Sequence, residues 1–275
     1  MNIQKFSLSV LLICLWAVNL LKAQDVKLFH ENKDKGYIIY ANNNEFYPVS
    51  ISIDFELTNL NFSGAKKKVF VIPPKSEKYK IGELSLSDKP ASKYKFAYKY
   101  EYTIGDVTIT DYDKSFEYDL PFQKGQSYIV SQGYNGAFSH INNNAIDFNM
   151  PEGSSILTAR EGTVVEIVQN NSQSCHREEC NKYNNHVLIM HPDGTFASYA
   201  HIKKNSVKLN VGDKVKKGDV IAASGNTGWT NGPHLHFSCF LGSFNKPKTL
   251  ETKFRIDNGN KSVFLKEGNT YFRNY

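Results

Sequence analysis

The chain has 275 residues, 40% of them apolar and 22% charged, with a formal net charge of +6. That is enough apolar material for one large domain or two ordinary ones, and it excludes wholesale disorder. A Gly-X-Y period, a sustained heptad and a second long apolar segment are all missing, which excludes collagen, a coiled coil and a multi-span membrane protein. The basic residues are not gathered into one stripe with aromatics between them, so no nucleic acid is expected as a partner.

The first segment reads as a targeting signal. Lys5 precedes an apolar run from Leu8 to Leu21, followed by Lys22 and Ala23. This is the order of a secretory signal peptide, residues 1–23, with cleavage after Ala23. The run is short for a membrane span, so no stable membrane anchor is expected after cleavage; an uncleaved anchor is the alternative. Cleavage removes Lys5 and Lys22 and leaves 31 Lys+Arg against 27 Asp+Glu, a net charge of +4. The reading is an exported protein, periplasmic or secreted, whose mild positive charge suits an anionic partner such as a cell wall.

Residues 24–120 alternate in strand fashion. The runs are YIIYA (37–41), PVSISIDFEL (48–57), KKVFVI (67–72) and YKFAYKYEYTI (94–104), separated by Asn42-Asn43-Asn44, Pro73-Pro74 and Gly105-Asp106. Short strands at this spacing predict a β-sandwich-like module, and no cluster of reactive side chains lies in it.

A connection rich in Gly leads into residues 125–245, where seven of the eight histidines fall: His140, His176, His186, His191, His201, His234 and His236. Strands are expected at AIDFNM (145–150), SSILTA (154–159), GTVVEIVQ (162–169), NHVLIMH (185–191), TFASYAHI (195–202) and HLHFSCF (234–240), with Pro192-Asp193-Gly194 as a hairpin turn. Residues 246–275 read as a C-terminal extension with one more hairpin. No helical period stands out, so the mature chain is expected to be all-β.

Cys175 and Cys180, close together in a polar stretch of an exported chain, read as a small-loop disulfide. A zinc knuckle using His176 is the rival. Cys239, in an apolar run, reads as a buried free thiol.

Side chains two apart on a strand share a face. In HLHFSCF, His234, His236 and Ser238 share one face, and Leu235, Phe237 and Cys239 form the buried other one. In AIDFNM, Asp147 stands opposite Ile146 and Phe148 and needs a cation to face it. Tyr199 and His201 end their run on one face. Imidazoles and a carboxylate on one side of a sheet with an apolar back suit a metal site.

Taken as an ordered set, these residues resemble the lysostaphin/LytM-type zinc metalloendopeptidases, which cut peptide cross-links of bacterial peptidoglycan. The pattern is carried by His140, Asp147-Phe148, Pro151-Glu152-Gly153, Gly162-Thr163-Val164, Tyr199-Ala200-His201, the turn from Gly212-Asp213 to Gly218, and Gly232-Pro233-His234-Leu235-His236-Phe237. The resemblance implies a flattened β-sheet, barrel-sandwich-hybrid catalytic domain over 125–245. It implies one Zn2+ per chain held by His140, Asp147 and His236, His201 and His234 as the catalytic pair, and a peptidoglycan peptide as substrate. In most members the first His lies four residues before the Asp; here Asn143 holds that place and His140 lies seven residues before Asp147. No His-Glu-x-x-His is present, so the base must be a histidine.

Other readings stand beside this one. A non-catalytic LytM-like wall-binding protein or activator would need fewer of the five residues. The stretch 212–225 is similar to lipoyl and biotinyl carrier hairpins. His186 and His191 read as structural, His176 and His30 as surface groups. Tyr199 and Asn185 read equally as site residues or as packing and turn residues, and Trp229 as a cleft wall or an exposed loop residue.

Overall fold

A computed structural model describes residues 26–64, 68–87 and 93–275. The signal peptide read over residues 1–23 lies outside them. The chain divides into two compact units, meeting in sequence between Val107 and Thr108. Among the described residues strands dominate, with one 3-10 turn at Glu178–Tyr183 as the only helical element, and the sheets do not close into a barrel.

Among its described residues the first unit holds seven strands: β1 (Val26–Lys33), β2 (Gly36–Asn43), β3 (Val49–Thr58), β4 (Leu60–Phe62), β5 (Val69–Ile72), β6 (Ser76–Leu86) and β7 (Lys95–Ile104). They form two sheets, ordered β1-β2-β6-β4 and β5-β3-β7, with antiparallel neighbours. The period-2 pattern decides which face is buried. Ile39, Ala41, Val49, Ile51, Ile53, Ile72 and Leu84 turn inward, and Asp54, Glu56, Lys99 and Glu101 turn to solvent. Phe96, Tyr98, Tyr100 and Tyr102 stack along β7 with ring centroids 6.2, 6.3 and 6.2 Å apart.

In the second unit, β8 (Glu117–Tyr118), β9 (Ser127–Gln132), β10 (Ala145–Phe148), β11 (Ser155–Leu157), β12 (Gly162–Val168), β13 (Ser174–Cys175), β14 (His186–Met190) and β15 (Phe196–Ala200) come first. They are followed by β16 (Lys214–Val215), β17 (Val220–Ala223), β18 (Gly228–Trp229), β19 (Leu235–Leu241), β20 (Lys248–Leu250), β21 (Lys253–Ile256), β22 (Lys261–Phe264) and β23 (Thr270–Phe272). The main sheet runs β16-β12-β14-β15-β19-β10-β9-β23, with β20 also on β19, and every pairing in it is antiparallel. The hairpin between β14 and β15 is closed by Gly194 at φ +81 and by Asp193 Oδ1, which accepts from the amide and hydroxyl of Thr195.

One face of this sheet carries the core: Ile146, Phe148, Val187, Ile189, Tyr199, Leu235 and Phe237. Tyr118, Leu120 and Phe122 belong to the same core, so the stretch before residue 125 packs with the second unit. The segment 246–275 is woven into the unit as well. Strand β21 pairs with β8 and β23 pairs with β9. The Asp119 carboxylate gathers Arg255, Arg273 and Lys217, at 2.6, 3.3 and 3.6 Å. A carboxylate this buried needs such partners, and two of the three come from the C-terminal segment.

Candidate metal centre

The opposite face of the main sheet carries a row of cross-strand neighbours: Gln132 on β9, Asp147 on β10, His236 on β19, Ala200 on β15 and His186 on β14. Opposed residues on neighbouring strands lie about 5 Å apart, so Asp147 and His236 meet by register alone. Ser131 is an extra residue in β9, and this bulge brings Gln132 opposite Asp147.

His140 comes from the turn between β9 and β10. One ligand atom from each of His140, Asp147 and His236 can be chosen so that the three lie within 4.8 Å of one another. His140 Nε2 is 3.3 Å from Asp147 Oδ1 and 3.2 Å from His236 Nδ1, which is itself 2.9 Å from Asp147 Oδ1. The Nδ1–H of His140 donates to the Gly133 carbonyl at 2.9 Å, which fixes the tautomer and leaves the Nε2 lone pair facing the cluster. Two imidazole nitrogens and one carboxylate oxygen converge here, and such a donor set fits a divalent cation. Burial works against the charge on Asp147, but the neighbouring imidazoles of His140 and His236 outweigh it and hold the carboxyl well below its usual range. Burial likewise opposes charge on His140, and Asp147 overcomes it and raises the imidazole.

His201 and His234 stand beside this trio. Their rings are 4.6 Å apart, and that of His201 is 5.8 Å from His236. Each is anchored through Nδ1: His201 donates to the Thr227 carbonyl at 2.7 Å, and His234 to the Gly232 carbonyl at 2.8 Å. Both therefore keep an Nε2 lone pair. That of His234 is 3.8 Å from Asp147 Oδ1. Burial, with the neighbouring His234 and His236, pushes His201 down to about 3, so its imidazole is neutral near pH 7. Burial also lowers His234, against the pull of Asp147.

The expected sharing of a face by Tyr199 and His201 does not hold. Tyr199 lies in the core against Phe237, and its hydroxyl accepts from the Ala159 amide at 2.8 Å. His201 has φ +61, a left-handed conformation that breaks the strand alternation and turns its ring to the other side. Asn185 proves a turn brace, donating to the carbonyls of Asn171 and Ile202 and accepting from the Asn171 amide. His191 is buried and structural, with Nδ1 on the Glu161 carbonyl. His186 is buried beside Glu166 at 3.6 Å, while His176 is exposed and meets Asn231 at 2.6 Å. Cys175 and Cys180 form the expected disulfide, which leaves no thiolates for a zinc knuckle, and Cys239 is free and buried.

Gln132, which no motif of the sequence marks, braces the cluster. Its Nε2 donates to Asp147 Oδ2 at 3.0 Å and to Ser139 Oγ at 2.8 Å. Its Oε1 accepts from the amides of Phe138 and Ser139 at 3.1 and 2.9 Å. One side chain thus holds the carboxylate, with Oδ1 left towards the histidines, and pins the turn carrying His140. That is how seven residues of spacing still bring His140 to Asp147. Asn143 does not join the cluster; its amide donates to the His140 carbonyl.

Residues 141–246 match the profile of peptidase family M23. This part of the chain is an M23 domain. Asp147, His201, His234 and His236 fall inside the matched span, and His140 lies one residue before it. Similar chains include an uncharacterized metalloprotease of Buchnera aphidicola, 34% identical over 49% of this chain and 34% of the relative. The peptidoglycan DD-endopeptidase ShyA of Vibrio cholerae is 37% identical over 36% of this chain and 20% of its own length. Lysostaphin of Staphylococcus simulans is 32% identical over 45% of this chain and 22% of its own. The chain thus spans about a third or less of these relatives. Among solved structures, the catalytic domain of that lysostaphin aligns with 45% of this chain and 87% of its own at 25% identity, with a TM-score of 0.34. Among the described residues no helix is long and apolar enough to cross a membrane.

Proposed function

We propose that the protein is an exported zinc endopeptidase that hydrolyses peptide bonds in bacterial peptidoglycan, with one zinc held by His140, Asp147 and His236. The observation that carries this reading is the convergence of those three donors beside two anchored, unprotonated imidazoles. The names of the M23 relatives supply the substrate class. Two neutral imidazoles and one carboxylate leave zinc a net positive charge and an open position, and the bound ion would supply Lewis acidity that acidifies water and polarises a carbonyl.

The chain's own residues do the rest. His201 and His234 each offer an Nε2 lone pair, and each can take a proton from the attacking water. The imidazole that has taken it becomes a donor, to the oxygen gaining charge or to the departing amine. The carbonyls of Thr227 and Gly232 hold both rings in register throughout. Low basicity at His201 keeps it free to accept at neutral pH. All five residues are present, which favours an enzyme over a non-catalytic wall-binding relative.

The test is the release of new amino groups from purified peptidoglycan by the zinc-loaded chain. Release that stops with a chelator and returns with zinc supports the reading. A zinc-loaded chain that binds the wall and releases none would overturn it in favour of the wall-binding alternative.

A further inference from the structure

We propose that Phe138 and Trp229 form an apolar wall at the metal centre that selects substrates with an apolar side chain next to the scissile bond. This rests on the peptidase reading above.

The turn that presents buried His140 also presents two of the most exposed large apolar side chains among the described residues, Phe138 at 60% and Ile141 at 62%. Exposed apolar groups scattered singly mean little, but these flank a candidate metal ligand on both sides. The turn is not loose. Gln132 holds the amides of Phe138 and Ser139, and the His140 amide donates to the Gly136 carbonyl. The Phe138 ring meets Trp229 at a centroid distance of 6.1 Å and a tilt of 48°, so the two form one continuous apolar surface.

Trp229 sits in the strip that positions the catalytic pair. Thr227 and Gly232 hold His201 and His234 through their carbonyls, and Thr230 Oγ1 also meets His234 Nδ1, at 3.3 Å. The disulfide loop braces this strip. Strand β13 runs parallel to β18, setting Cys175 beside Trp229, and the Thr230 amide donates to the Cys175 carbonyl at 3.1 Å. Gly228, at φ +85, allows the close approach, since a Cβ there would lie 2.8 Å from the Asn184 backbone. The wall is thus fixed from both sides, by Gln132 under Phe138 and by the Cys175–Cys180 loop beside Trp229. A glycine substrate offers this surface nothing apolar to cover, whereas an alanine offers a methyl group.

The test uses two synthetic peptides of equal length, one all glycine and one with alanine on one side of the scissile position. The zinc-loaded full chain carries Trp16→Phe, which leaves Trp229 as the sole tryptophan. Alanine peptide should be preferred in kcat/KM, and Phe138→Ala and Trp229→Leu should each reduce that preference about tenfold, mainly through KM, with zinc content unchanged. In the same background, Trp229 emission should shift on titration with the alanine peptide, and Phe138→Ala should weaken that binding by a similar factor. Equal losses on both peptides, no loss, or no change in Trp229 emission at saturating peptide would overturn the proposal. If neither peptide is cut while the binding preference holds, the peptidase reading fails and the wall stands.

Discussion

Gln132→Ala offers a sharp test of how the metal centre is assembled. The substitution removes four hydrogen bonds at once: two that Gln132 donates, to Asp147 and Ser139, and two that it accepts from the turn carrying His140. The bond to Asp147 is charge-assisted and buried, a class that contributes about 1.5–3 kcal/mol. Partners that orient a metal ligand typically change affinity about 10–100-fold, which is about 1.4–2.7 kcal/mol, and the two figures agree. Zinc affinity should therefore fall by that factor although Gln132 touches no metal. The assay is competition against a chromophoric zinc chelator, with circular dichroism to establish that the variant is folded. A folded Gln132→Ala chain that binds zinc within twofold of wild type would show that the turn carrying His140 is self-supporting.

Other residues give independent tests. His201→Ala should retain zinc and reduce hydrolysis by about 10²–10⁴-fold, since in the proposed mechanism its Nε2 serves proton transfer and it lies outside the three-donor cluster; loss of zinc would place it among the ligands. Asp119→Ala leaves Arg255 and Arg273 without their buried carboxylate and should cost about 3 kcal/mol, seen as a melting temperature lower by about 6–12 °C. An unchanged melt would show that the C-terminal segment is held by its strands alone. His191 gives a pH dependence. Burial and the nearby Arg160 charge push its imidazole down to about 4, below the ordinary value near 6.5. The folded chain favours the neutral ring, so this contribution is fully present above about pH 6.5 and is lost as the pH falls towards 4, by up to about 3 kcal/mol. Urea unfolding at several pH values should show the slope, and His191→Gln should flatten it; an equal slope in both would assign it to other groups.

Much of the site is legible in the sequence because strands have a strict period. HLHFSCF places His236 opposite a buried Leu-Phe-Cys face, AIDFNM does the same for Asp147, and antiparallel register then brings the two together. The disulfide is equally readable from two cysteines five residues apart in a polar loop. What the period cannot reach is backbone that departs from it. His201 follows Tyr199 by two residues and alternation sets both on one side, but a left-handed φ at His201 sends its ring to His234 and His236 and leaves Tyr199 in the core. Gln132 ends an ordinary-looking SYIVSQ strand, and its role depends on a one-residue bulge that no local pattern announces. The signal available was a lone Gln before Gly133 at a strand end, which is too common to single out. The C-terminal segment reads as an extension because its partners, Asp119 and the strand at Glu117–Tyr118, lie 136 residues or more away.

In the proposed site His140, despite its displaced position, holds the metal together with Asp147 and His236. Metal content of the purified chain, measured by plasma mass spectrometry for wild type, His140→Ala and Asn143→Ala after identical zinc loading and desalting, tests it most directly. About one zinc is expected in wild type, about one in Asn143→Ala and almost none in His140→Ala. Equal zinc in the two variants, or none in wild type, would rule out His140 as a ligand.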